Sequence, residues 1–68
     1  MSHVAKVIEL VGSSDQSWED AANNALKVAS KTLHGITGIE VTNMTARVEA
    51  GQIASYKTTI KVAFAVDE

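Results

Sequence analysis

Side chains able to do chemistry are few. Among 68 residues there is no cysteine and there are only two histidines, His3 and His34. Thiolate nucleophiles, disulfides and thiolate metal sites are therefore excluded. The serines (Ser2, Ser13, Ser14, Ser17, Ser30 and Ser55) lack the glycine-flanked elbow that presents a nucleophilic hydroxyl, and neither histidine sits in a catalytic motif. His3 reads as a terminal residue, and His34 as a cation complementing a helix C-terminus rather than a base. Gly12, Gly35, Gly38 and Gly51 do not have the spacing of a phosphate-binding loop; they read as turn punctuation. Three carboxylates remain close together, Asp15, Glu19 and Asp20, outside any EF-hand loop. Such groups are solvated in one chain; copies meeting about a symmetry axis could bring them together to bind Ca²⁺ or Mg²⁺. An enzyme is not expected.

Length and composition narrow the partners. The chain is one domain, residues 1–68, 46% hydrophobic and 21% charged, with a net charge of −2 and scattered basic residues. A nucleic-acid binder should show a basic stripe, and none is present. No apolar run approaches the roughly 18 residues that span a membrane. The alternating MSHVAKVIEL is no signal peptide, so the default location is cytoplasmic. Domains this small bury only about 60% of their unfolded surface, and they compensate with disulfides, a metal or partner chains. With no cysteine and two histidines, oligomerisation is what remains.

Four elements carry these residues. VAKVIELV (Val4–Val11) predicts a first strand ending at Gly12, with Ile8 and Leu10 on one face, Val7 and Val11 on the other, and Glu9 between them. Ser17 with Asp20 predicts a helix N-terminus of the capping-box kind, with Ser14 as the alternative cap. Trp18, Ala21, Ala22, Ala25, Leu26, Val28, Ala29 and Leu33 then form one apolar arc, and His34–Gly35 supplies the stop. Trp18 reads as a core or interface plug, with cofactor stacking the alternative. Next comes a hairpin turning at Ala50–Gly51–Gln52. Its first arm is apolar at odd positions Ile39 and Val41, then at even positions Met44, Ala46 and Val48, which predicts a bulge or bend near Thr42–Asn43. Its second arm, IASYKTTIKVAFAV, places Tyr56, Thr58, Ile60, Val62, Phe64 and Val66 on one face. Gly38 in TGIE marks either close approach of a ligand or backbone, or a simple strand entry. The fold class is α+β: a β-α-β-β unit whose three-stranded antiparallel sheet curls over one helix.

One dimension does not fit. The fourteen residues Ile53 to Val66 would extend about 45 Å as a strand. A compact domain of this length has a radius of gyration of about 11 Å and, as a sphere, is only about 28 Å across. The hairpin must overhang its own body, and it finds cover if it packs on neighbouring copies.

The sequence resembles the dodecins along nearly its whole length. The resemblance is carried by VIELVGSS, SWEDAANNAL, IEV and the closing SYKTTIKVAFAV, in that order and spacing. It implies a hollow homododecamer of tetrahedral symmetry. It also implies flavin binding (riboflavin or FMN) in pairs at two-fold interfaces, for storage, buffering or photoprotection rather than turnover. In the family a tryptophan before the x-E-V stretch stacks on the ring, and a glutamine after the strand tyrosine bonds its edge. Here those positions hold Gly38 and Lys57, while Glu40 matches the family's glutamate and Asn43 stands where an acidic residue is common. The cofactor-binding set implied is Gly38, Glu40, Asn43 and Lys57. Lys57 either attracts an anionic ligand or pairs with Glu40 across the hairpin. Some dodecin-like chains lacking the aromatic are associated with calcium, which keeps an ion-binding cage as the alternative.

Overall fold

A computed structural model describes residues 4–66, so His3 lies outside the described residues. The order is β1 (Ala5–Ser14), α1 (Trp18–Ser30), β2 (Ile36–Glu49) and β3 (Gln52–Ala65). The strands form one antiparallel sheet in the order β1-β3-β2, with β3 central. This is the β-α-β-β unit with one helix that the sequence predicts.

The helix begins where its cap dictates. Ser17 is extended and its hydroxyl accepts the Asp20 amide at 2.9 Å, while Glu19 and Asp20 place negative charge in the first turn. Ser14 does not cap the helix. Its hydroxyl donates to the Asp20 carboxylate at 2.6 Å and accepts the Gln16 amide, closing the β1–α1 turn. The C-terminus falls earlier than expected. The amides of Lys31 and Thr32 bond three residues back, to Val28 and Ala29, and this tighter winding ends the α-helix at Ser30. His34 therefore lies exposed beyond the helix and caps nothing in its last turn, where Lys27 supplies the positive charge.

Small residues let helix and sheet approach closely. Ala21, Ala25 and Ala29 are the buried face of α1. Gly12 does not end β1, which runs on to Ser14; it is the point where the helix rests on the strand. A Cβ on Gly12 would lie 2.0 Å from the Ala21 carbonyl oxygen and 3.0 Å from Ala25 Cβ. The fully buried Ile60 and Val62 meet Ala25 and Ala29, flanked by Ile8, Leu10, Leu26, Leu33 and Ile36. Thr58, also buried, donates its hydroxyl to the Trp18 carbonyl at 2.8 Å, so this polar group is satisfied.

The change of phase in β2 is resolved by bulges. Register slips occur between Ile36 and Gly38, between Val41 and Asn43, and between Arg47 and Val48. Thr37 and Thr42 are each the extra residue on β2, and Ala54 is the extra residue on β3. Directly opposed residues share a face. Pairing with Phe64, Val62, Ile60, Thr58, Tyr56 and Ile53 therefore keeps Ile36, Ile39, Val41, Met44, Ala46 and Val48 all on the helix side. The helix is too short to cover them. The described residues extend 54 × 20 × 12 Å with a radius of gyration of 14.1 Å, against about 11 Å for a compact chain of this length.

Candidate functional site

The sheet face turned away from the helix carries the candidate residues in rows. Val7, Ala63 and Gly38 form one row across β1, β3 and β2. Glu9, Lys61 and Glu40 form the next, then Val11, Thr59 and Asn43, then Ser13, Lys57 and Thr45. Gly38, Glu40, Asn43 and Lys57 thus share one face and descend it diagonally from β2 to β3. The bulge at Thr42 makes this so: without it, Asn43 and Glu40 would face opposite sides.

A shallow open cavity of about 460 Å³ lies at the upper rows, lined by Val7, Gly38, Ile39, Glu40, Lys61 and Ala63. Gly38 is not a close-approach glycine within the chain, because a Cβ built there meets nothing within 4 Å. The floor is therefore apolar and bare, with a cation and carboxylates at one edge. Such a surface admits a flat ring. It offers that ring no aromatic partner, since Trp18, Tyr56 and Phe64 all lie on the helix side. Trp18 and Tyr56 meet edge to face with centroids 4.8 Å apart, and the Trp18 indole N–H donates to the Thr45 carbonyl at 2.8 Å. Trp18 is the plug between helix and hairpin.

The charges sort differently from one expectation. Across the hairpin Glu40 stands opposite Lys61, whereas Lys57 stands opposite Thr45 and Ser13, so a Glu40–Lys57 pair does not form within the chain. Among the described residues the ion pair with atoms in reach is Arg47–Glu49 near the hairpin tip. Lys57 and Lys61 both keep their ammonium groups available. Lys61 lines the cavity, a position that motif matching misses. Counting back from a turn at Ala50–Gly51 places it beside Glu40, because the bulges at Ala54 and Thr42 cancel.

The acidic residues at the helix entry do not make a metal centre in one chain. Among the described residues no group of three His, Cys, Asp or Glu side chains is placed to hold an ion. Asp20 is occupied by Ser14, and Asp15 accepts from the Gln16 side chain at 3.1 Å. A second cleft, of about 410 Å³, runs between α1 and β2 and is lined by Trp18, Glu19, Ala22, Asn23, Ile39, Val41, Met44 and Thr58. Here Val41 and Met44 are 48% and 58% exposed, apolar side chains without cover. No helix among the described residues is long and apolar enough to cross a membrane.

Comparison with known proteins extends this picture. The family model described as Dodecin matches residues 4–67. The dodecin of Thermus thermophilus is 32% identical over 68 residues, covering all of this chain and 99% of its own. The structure of dodecin from Streptomyces coelicolor superposes with a TM-score of 0.91 at 35% identity, over 100% of this chain and 99% of that one. The calcium dodecin of Mycobacterium tuberculosis, a calcium-chelating antigen with a novel calcium-binding site, gives a TM-score of 0.80 at 32% identity over 94% and 91% of the two chains. Fold and full-length sequence similarity agree: the chain belongs to the dodecin family.

Proposed function

We propose that this protein is a non-enzymatic small-molecule-binding and storage protein that works as a homododecamer in the cytoplasm. Its ligand is a flavin, riboflavin or FMN, laid on the outer sheet face where two copies meet. The observation that carries this reading is that Gly38 and Glu40 line an open cavity with an apolar floor, on the sheet face that Asn43 and Lys57 share further down. Support for assembly comes from the uncovered apolar stripe of β2 and from the overhanging hairpin, which sibling chains would bury. Relatives supply the expectation of a flavin; this chain supplies the space for one. It also sets the affinity low. Glycine at position 38 forgoes the roughly 0.5–1.5 kcal/mol that an aromatic contact adds beyond burial. Lysine at position 57 only donates, whereas a glutamine both donates and accepts.

The test is a visible spectrum of the purified protein and a riboflavin fluorescence titration. Quenching that saturates supports the reading; a colourless protein that leaves the fluorescence unchanged refutes it.

A second reading, an ion-binding cage, is favoured by the likeness to the calcium dodecin. In that case Asp15, Glu19 and Asp20 of neighbouring copies hold Ca²⁺ or Mg²⁺ between them, since one chain does not group them. Calorimetry on chelator-treated protein decides it, and no heat at millimolar Ca²⁺ dismisses specific binding.

A further inference from the structure

We infer that Lys61 and Glu40 form the edge reader of the outer-face cavity, selecting flat heterocycles that carry an imide or lactam edge (a carbonyl beside a ring N–H). The inference rests on the ring-binding reading and names the group on the ring that this chain recognises. A glutamine side chain can read such an edge alone, because one amide holds a donor and an acceptor. Lys57 cannot, and it sits below the bare floor formed by Gly38, Ala63 and Val7, separated from it by the rows of Lys61 and Thr59. Lys61 and Glu40 stand in the row next to that floor, directly opposite each other on β3 and β2. Both line the cavity.

Together the two side chains restore the missing pattern. The Lys61 ammonium donates to a ring carbonyl, and the Glu40 carboxylate accepts the neighbouring ring N–H. Residues opposed in an antiparallel sheet have Cβ atoms about 4.5–5.5 Å apart, a separation two long side chains can close onto adjacent ring atoms. Neither is committed to an ion pair, the one in reach among the described residues being Arg47–Glu49.

The local charge sets the ligand class. Glu9 flanks Lys61 on its other side, so the row Glu9, Lys61, Glu40 carries two carboxylates and one ammonium, a formal sum of −1. That sum disfavours a phosphate or carboxylate at this edge and favours a neutral ring. An anionic tail would have to point elsewhere, down the face toward Lys57, which is flanked by the hydroxyl residues Ser13 and Thr45.

The experiment uses lumiflavin, which has the imide edge but no ribityl chain or phosphate, and its N3-methyl derivative, which lacks the ring N–H. Both are titrated into the native assembly by fluorescence quenching. The N3-methyl ring is expected to bind about tenfold more weakly, the loss of one hydrogen bond to a charged group. Lys61→Met is expected to weaken lumiflavin by about tenfold, and Glu40→Leu to bind both rings alike. Both residues are exposed, and the comparison of two rings on the unaltered protein needs no variant. Equal binding of both rings to the unaltered protein, with Lys61→Met binding as tightly, overturns the edge reader while leaving ring binding intact. Failure of both rings to bind refutes the ring-binding reading itself, and this inference with it.

Discussion

Gly38 on β2 stands opposite Ala63 on β3, and with Val7 beyond it they make a strip of the outer face on which nothing larger than valine stands. That strip borders the charged row of Glu9, Lys61 and Glu40, so a bare apolar floor meets a polar edge along one line. The site is thus defined as much by what is missing from β2 as by what is present.

Filling the gap should strengthen flavin binding. Gly38→Trp has room, since a Cβ there meets nothing within 4 Å, and it restores a π-face beside the cavity. Riboflavin affinity, read by fluorescence quenching, is expected to rise about 2- to 12-fold, the equivalent of one stacking contact. No change would show that the flavin sits elsewhere.

Assembly and folding depend on different apolar residues. Val62 is fully buried under α1 in the chain's own core, so Val62→Asp should unfold the protein, an unpaired buried charge costing several kcal/mol. Val41 and Met44 are exposed on the uncovered part of the helix-side face. Val41→Asp or Met44→Asp should keep the circular dichroism of the folded chain while reducing the oligomer on size exclusion. An intact large oligomer in either variant would move the interface away from β2.

Helix docking on β1 tolerates no side chain at position 12. Gly12→Ala drives a methyl into the Ala21 carbonyl, and urea denaturation should show a loss of about 3 kcal/mol. A loss below about 1 kcal/mol would mean that α1 can slide along the sheet.

The hairpin turn carries removable strain. Ala50 has φ 51° and Gly51 has φ 75°, both left-handed, as a two-residue type I′ turn requires. The left-handed conformation costs alanine about 1–2 kcal/mol, and asparagine less. Ala50→Asn should therefore stabilise the protein by about 1 kcal/mol in the same denaturation assay.

Much of the fold is legible in the sequence, for identifiable reasons. The apolar phase change from Ile39 and Val41 to Met44, Ala46 and Val48 points to a bulge near Thr42, because a buried face constrains register strongly. The slips at Thr37 and Ala54 leave fainter traces: Ile36 and Ile53 are each a single apolar residue out of phase with the run that follows. Gly12 misleads, since a glycine needed for close approach looks the same in sequence as one that ends a strand. Periodicity overruns the helix stop because Leu33 continues the apolar arc, yet Leu33 reaches the core from the tightened turn after Ser30. In the site, motif position favours Lys57 as the partner of Glu40, whereas the ladder counted from the turn favours Lys61.

Solution mass by multi-angle light scattering at micromolar concentration tests the central claim most directly, that a hairpin longer than its own domain is covered by sibling chains. Twelve copies of a 7.2 kDa chain give about 86 kDa, and a single species of that mass is expected. A folded, soluble species of about 7 kDa under the same conditions would contradict the account.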